Sequence, residues 1–156
     1  MTMDNEKEKG SSAVQDLVAR LKKYKLYLQD LIAKLKKHKL YLETMETLGP
    51  RGERLDCYLE DLRGVDLRGA DLRFAIFDKA CARGVNFSGA NLVAASLYGA
   101  DLAGANLTGA IISYNTDLRG VLLGGNSSYV KLVGGECDVL LPIKVAVARC
   151  NKGRRG

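Results

Sequence analysis

A five-residue period runs through the middle of the chain and limits what it can fold into more than any other feature. In ANLVAASLYGADLAGANLTGA (90–110), Ala90, Ala95, Ala100, Ala105 and Ala110 fall five apart, and so do Leu92, Leu97, Leu102 and Leu107. Neither an α-helix (3.6 residues per turn) nor a flat strand (period 2) puts residues five apart on one face. With the central Leu or Phe as marker, the pattern runs through Leu62, Leu67, Leu72, Phe77, Ala82, Phe87 and on to Leu107 and Ile112. Cys57 reads as an earlier, degenerate centre. An insertion at SYNT (113–116) shifts the frame by one, and Leu118 and Leu123 resume it.

The residue two before each centre is small or β-branched almost throughout: Val65, Ala70, Ala75, Ala80, Val85, then the alanines above. The residue just before the centre is repeatedly Asp or Asn, a type that serves turns by bonding the nearby backbone. Those carboxylates therefore read as turn residues and not as an acid/base pair. The pattern A-(D/N)-L-x-x, as in ADLAG (100–104) and ANLTG (105–109), resembles the pentapeptide-repeat family over roughly residues 55–125. The resemblance implies a mainly β protein, a right-handed quadrilateral β-helix (solenoid) in which each pentapeptide is one side and four make a coil. Leu/Phe and Ala would fill a narrow tube, and the chain has no Trp to accommodate.

A second repeat precedes the first. LVARLKKYKLYLQD (17–30) and LIAKLKKHKLYLET (31–44) match at nine of fourteen positions, and fourteen residues are two heptads. Leu21, Leu28, Leu35 and Leu42 take one core position; Leu17, Tyr24, Leu31 and His38 take the other, widened by Val18 and Ile32. An opposite seam runs through Ala19, Leu26, Ala33 and Leu40. This predicts one long helix over 12–48, N-capped by Ser12 and stopped by Gly49-Pro50. Two apolar seams suit a helix with a neighbour on each side. Three occupants remain open: another copy of the helix, a different protein, or an anionic membrane surface, which the lysines fit but Leu26 and Leu40 interrupt. His38 reads as a tolerated polar residue in the seam.

These features divide the chain into a disordered polar N-terminus (1–11), the helix (12–48), a linker (49–54), the repeats (55–125), degenerate repeats or a cap (126–150) and a basic tail (151–156). VKLVG (130–134) and GECDV (135–139) could be two more sides, and LLPIKVAVARC (140–150) a strand or closing cap. A solenoid needs such a cap to avoid an open β edge.

Charge narrows the function. Residues 14–44 carry eight Lys/Arg against three Asp/Glu and residues 126–156 six against two, whereas residues 54–125 carry seven against eight. Some pentapeptide-repeat proteins protect DNA gyrase by resembling DNA with an acidic rod, and a near-neutral array argues against that role here. Arg63, Arg68 and Arg73 stand on three successive sides, with Arg83 one coil on; they could form a cationic collar for an anionic partner or be balanced by Asp61, Asp66 and Asp71.

No nucleophile, metal or phosphate-loop motif is present, so no enzyme activity, metal or cofactor and no small-molecule substrate is expected. Cys57, Cys81, Cys137 and Cys150 lack metal-ligand spacing and read as reduced thiols. With no secretory signal and no apolar run long enough to cross a membrane, a cytoplasmic protein is expected. The expected function is structural: a rigid rod that assembles through Leu17, Leu21, Tyr24, Leu28, Leu31, Leu35 and Leu42, with Leu26 and Leu40 on the second seam, into a homo-oligomer or larger complex. The alternative is an adaptor that uses the basic helix and tail on nucleic acid or an anionic surface.

Overall fold

The computed structural model describes residues 4–45, 52–126, 128–135 and 138–152, with side chains from Ser12 onward. The elements are α1 (Asp4–Thr44), β1 (Ile111–Ser113), β2 (Tyr129–Val133), β3 (Val139–Pro142) and α2 (Ile143–Lys152). The chain packs as two compact units, Met1–Lys36 and Lys37–Gly156.

The helix starts at Asp4, eight residues before the expected Ser12 cap, and 4–11 are helical instead of disordered. The stretch is rich in Glu and Lys, which are good helix formers. One internal glycine, Gly10, costs only about 1 kcal/mol. The expected stop at 46–50 and the linker's first residues lie outside the described residues.

Most sides of the array are too short to be strands; each contributes a single parallel bridge. Asp56 bridges Ile76, Ile76 bridges Ser96, Asp61 bridges Cys81 and Asp71 bridges Asn91, every pair twenty residues apart. Four pentapeptides therefore make one turn of a β-helix-like coil. The SYNT slip shows as a separation of 21 in Ser96–Asp117 and Asp101–Leu122. It is made good before Lys131, which again pairs at twenty with Ile111 in the parallel β1–β2 ladder.

Corners explain the period. After most centres, the next N–H but two returns to the central carbonyl, as Val65 to Leu62 at 3.0 Å and Ala90 to Phe87 at 2.9 Å. The second residue past the centre takes positive φ, a type II turn position that glycine fills without strain, as at Gly64 (φ 70°). Leu59, Phe74, Lys79 and Ala94 take the same conformation with side chains, at φ 56–63°.

The Asp/Asn column completes the corner. Asp66 Oδ1 accepts from the Arg68 N–H (3.2 Å), Asn86 from Ser88 (3.1 Å) and Asn106 from Thr108 (3.0 Å). Where Ser96 replaces Asx, Asp78 from the turn before accepts both the Ser96 hydroxyl (2.5 Å) and the Tyr98 N–H (3.0 Å).

Inside the coil the centres from Cys57 to Leu118 are buried, as are most of the inward alanines; Ala70 and Leu123, near the two ends, are half-buried. Phe77 and Phe87, both 0% exposed, meet edge to face with ring centroids 5.7 Å apart. Ala82, the one small centre, lies between them in sequence and leaves volume for two rings in a turn whose neighbours use mostly Leu. Thr116, fully buried where other sides have Ala, donates to the Leu92 carbonyl (2.9 Å) and accepts the Ser113 N–H (2.9 Å). Asn126 donates to the carbonyls of Leu102 (3.2 Å) and Ala105 (2.9 Å).

Both ends of the coil are closed by helix. At the last turn, β3 runs back antiparallel on β2, and α2 buries Ile143, Ala146 and Cys150. The Cys150 thiol lies 3.5 Å from the Ser113 carbonyl, and Asn151 donates to Leu118 (3.4 Å). The described residues of segment 126–150 thus form one more pass of the ladder, an antiparallel strand beside it and a helical cap. Asn151 and Lys152, expected in a basic tail, complete α2; residues 153–156 lie outside the described residues. At the first turn the 37–44 end of α1 buries His38 and Leu42. Gly52 sits so close to it (φ 85°) that a Cβ would lie 2.4 Å from the Lys37 carbonyl oxygen. The linker is therefore packed at this point, and Lys37 and Glu53 pair beside it at 3.1 Å.

Candidate functional site

Two surfaces could carry function: the helix seams and the arginine collar. On α1 the seam residues divide by position. Leu17 (54% exposed), Leu21 and Tyr24 are open to solvent, joined by Val14 and Val18. Leu28 and Leu35 are half-buried, and Leu31 and Leu42 are buried within the single chain. Leu42, expected on a partner-binding face, instead covers its own fold. The opposite seam is exposed throughout at Ala19, Leu26, Ala33 and Leu40, with Leu26 at 67%. Apolar side chains regularly spaced on one helix and left in water make this face a candidate interaction surface. The intervening lysines are exposed as well, Lys34 excepted, which is half-buried and pairs with Asp30 at 3.3 Å.

The collar is neutralised where it stands. D-L-R occurs at 61–63, 66–68, 71–73 and 117–119, and in each the Arg folds back on its own Asp. Arg63 Nε and Nη2 donate to Asp61 at 2.8 and 2.6 Å; Arg68 and Arg73 repeat the fork, with Nη2 at 2.7 and 2.9 Å from Asp66 and Asp71. Arg83 reaches instead to Asp101 in the next turn, at 2.5 Å. The bonds from Arg63 and Arg68 hold the Asp61 and Asp66 carboxyls below the ordinary carboxylate value. At Asp71 burial pushes upward, but the Arg73 bonds and charge outweigh it, and the net direction is down. Asp101 in turn raises the Arg83 guanidinium. Pairs this exposed add little to stability, but an anion approaching the collar meets zwitterions rather than free cations.

The spacing that makes this pairing possible, Asp two before Arg, is visible in the sequence. The pairing of Arg83 with Asp101 becomes legible only once the twenty-residue turn is known. Arg119 shows the same two-residue fork to Asp117 and lies over the Tyr98 ring, 5.5 Å from its centroid. Among the described residues no cluster of His, Cys, Asp and Glu is placed to hold a metal, and no helix is long and apolar enough to cross a membrane. Cys57 and Cys150 are buried and Cys81 is half-buried, and none of the three is joined in a disulfide.

Residues 61–89 and 86–125 match the family model for pentapeptide repeats, in eight copies. The array belongs to the pentapeptide-repeat family, whose members are in general non-enzymatic structural proteins. Among solved structures, a pentapeptide repeat protein of the Arabidopsis thaliana thylakoid lumen is similar at 27% identity over 58% of this chain, with a TM-score of 0.40. Rfr23, a pentapeptide repeat protein of the cyanobacterium Cyanothece 51142, is similar at 24% identity over 57%, with a TM-score of 0.27. The matches span 66% and 65% of those two proteins. Neither superposition reaches a TM-score of 0.5, so the assignment rests on the repeats themselves. No curated protein matches the sequence.

Proposed function

We propose that this protein is a non-enzymatic scaffold, a rigid right-handed four-sided coil that self-assembles through the exposed part of α1. The observation that carries the reading is the solvent-facing row Val14, Leu17, Val18, Leu21 and Tyr24. The half-buried Leu28 and Leu35 and the second seam at Leu26 and Leu40 extend the surface available to further copies. A right-handed winding is the sense that twisted parallel strands favour in their crossovers. Reduced thiols suit a cytoplasmic location for such a part.

Light scattering on the full chain tests this. A defined oligomer is expected for the wild type, and a monomer for the double variant Leu17→Asp with Leu21→Asp, with the β-signal of the array intact. A wild-type chain that scatters as a monomer ends the self-assembly reading.

The second reading is an adaptor on nucleic acid or an anionic surface, supported by exposed Lys22, Lys23, Lys25, Lys36 and Lys39. The paired collar arginines add nothing to it. Binding to a DNA duplex or to anionic vesicles that weakens steeply with salt would favour it.

A further inference from the structure

In the array, the backbone N–H two residues before a centre goes to the carbonyl three residues back: Val65 to Leu62 (3.0 Å), Ala75 to Leu72 (3.1 Å), Ala95 to Leu92 (3.1 Å). Leu55 holds that position on the first side, and by the sequence pattern no repeat centre stands three residues before it. Its N–H is donated instead to Nδ1 of His38, at 3.0 Å. The imidazole is 1% exposed and stacks on Tyr41, with ring centroids 6.1 Å apart. Nε2 is buried as well, on the side of the Arg73 backbone. A ring that accepts at Nδ1 is neutral, with its single proton on Nε2. A second proton would sit on Nδ1 and face the Leu55 N–H head on.

We propose that His38 is a pH-sensitive latch: neutral, it completes the first corner of the coil and holds the 37–44 end of α1 there; protonated, it lets that end go. The groups facing it are Arg54 from the segment entering the first side, Asp71 and Arg73 from the fourth side, and Tyr41 from α1 itself. Burial, with the two arginines, holds the imidazole below the ordinary histidine value of 6.5; Asp71 and the Arg73 backbone oppose this without reversing it. A group whose pKa is depressed by folding binds its proton more readily in the open form. The latch is therefore fully set above the ordinary value and weakens as pH falls below it.

Amide hydrogen exchange on the full chain tests the latch, read by NMR as the protection factor of Leu55 at about pH 7.5 and about pH 5. The wild type is expected to lose about tenfold or more of that protection at the lower pH. In His38→Asn, Oδ1 can accept in the place of Nδ1 but cannot titrate, and protection is expected to stay level. Unchanged protection in the wild type, or an equal fall in His38→Asn, overturns the proposal. Should His38→Asn not fold, the wild-type NMR titration decides. Coincident midpoints for the His38 ring and the Leu55 amide support the latch, and a Leu55 amide that does not move with the His38 ring overturns it.

Discussion

The chain contains two internal repeats, and they end in opposite situations. The five-residue repeat closes on itself: its sides hydrogen-bond to sides one turn away, at twenty residues or, across the slip, twenty-one, and its centres are mostly 0–3% exposed. The fourteen-residue repeat cannot close, because a helix satisfies its backbone internally and can bury a stripe only against something else. Its first copy leaves Leu17, Leu21 and Tyr24 in water, whereas its second copy buries His38 and Leu42 within its own chain. Two fourteen-residue stretches that match at nine positions thus end in different surroundings, one with its seam in water and one packed at the end of the coil.

The contrast can be broken most severely inside the coil. Phe87→Ala removes half of the Phe77–Phe87 contact in a tube with no slack and is expected to cost about 3–5 kcal/mol. Thermal unfolding of the β-signal reads it. Overfilling the same turn with Ala82→Leu should cost less, about 1–3 kcal/mol, since neighbouring rings must shift. An Ala82→Leu variant as stable as the wild type would mean that the small centre at Ala82 does not make room for the two rings.

A milder probe is the corner. Asn91 Oδ1 accepts the Val93 N–H at 3.2 Å, a bond akin to a helix N-cap, so Asn91→Ala is expected to cost about 1 kcal/mol in denaturant unfolding. In the other direction, Ala94→Gly relieves a left-handed alanine at φ 56°. The gain should be at most about 1 kcal/mol, because glycine's greater freedom in the unfolded chain offsets part of the relief. The smallest effect on the array belongs to Leu17→Asp with Leu21→Asp. Its melting should coincide with that of the wild type even as the scattering mass changes, and a large loss of array stability would show that the two repeats are not independent.

Much of this was legible before any coordinates. The five-residue spacing identified sides and centres because a closed coil of fixed girth must return every side to the same chemistry. Asp and Asn before the centres read correctly as turn residues, since their side chains reach the backbone two residues on whatever lies further away. The helix begins earlier than Ser12, which looks like a cap, because the Glu- and Lys-rich stretch before it favours helix as well. On the candidate surfaces the sequence showed the heptads and the arginines but left each arginine's partner open.

By itself, then, the sequence determined whatever depends on neighbours within about one side: the corner turns, the inward Leu and Ala and the heptad seams. Tertiary structure alone decided what depends on which distant segments meet: Arg83 on Asp101, Asp78 standing in for a missing Asx beneath Tyr98, Thr116 filling an alanine's place. It also decided that His38, an unremarkable seam position by its spacing, supplies the acceptor that Leu55 lacks. The physical reason is that a repeat encodes its own interior identically at each step, but its ends have no preceding or following copy. Their unpaired backbone groups must be met by residues that no period predicts.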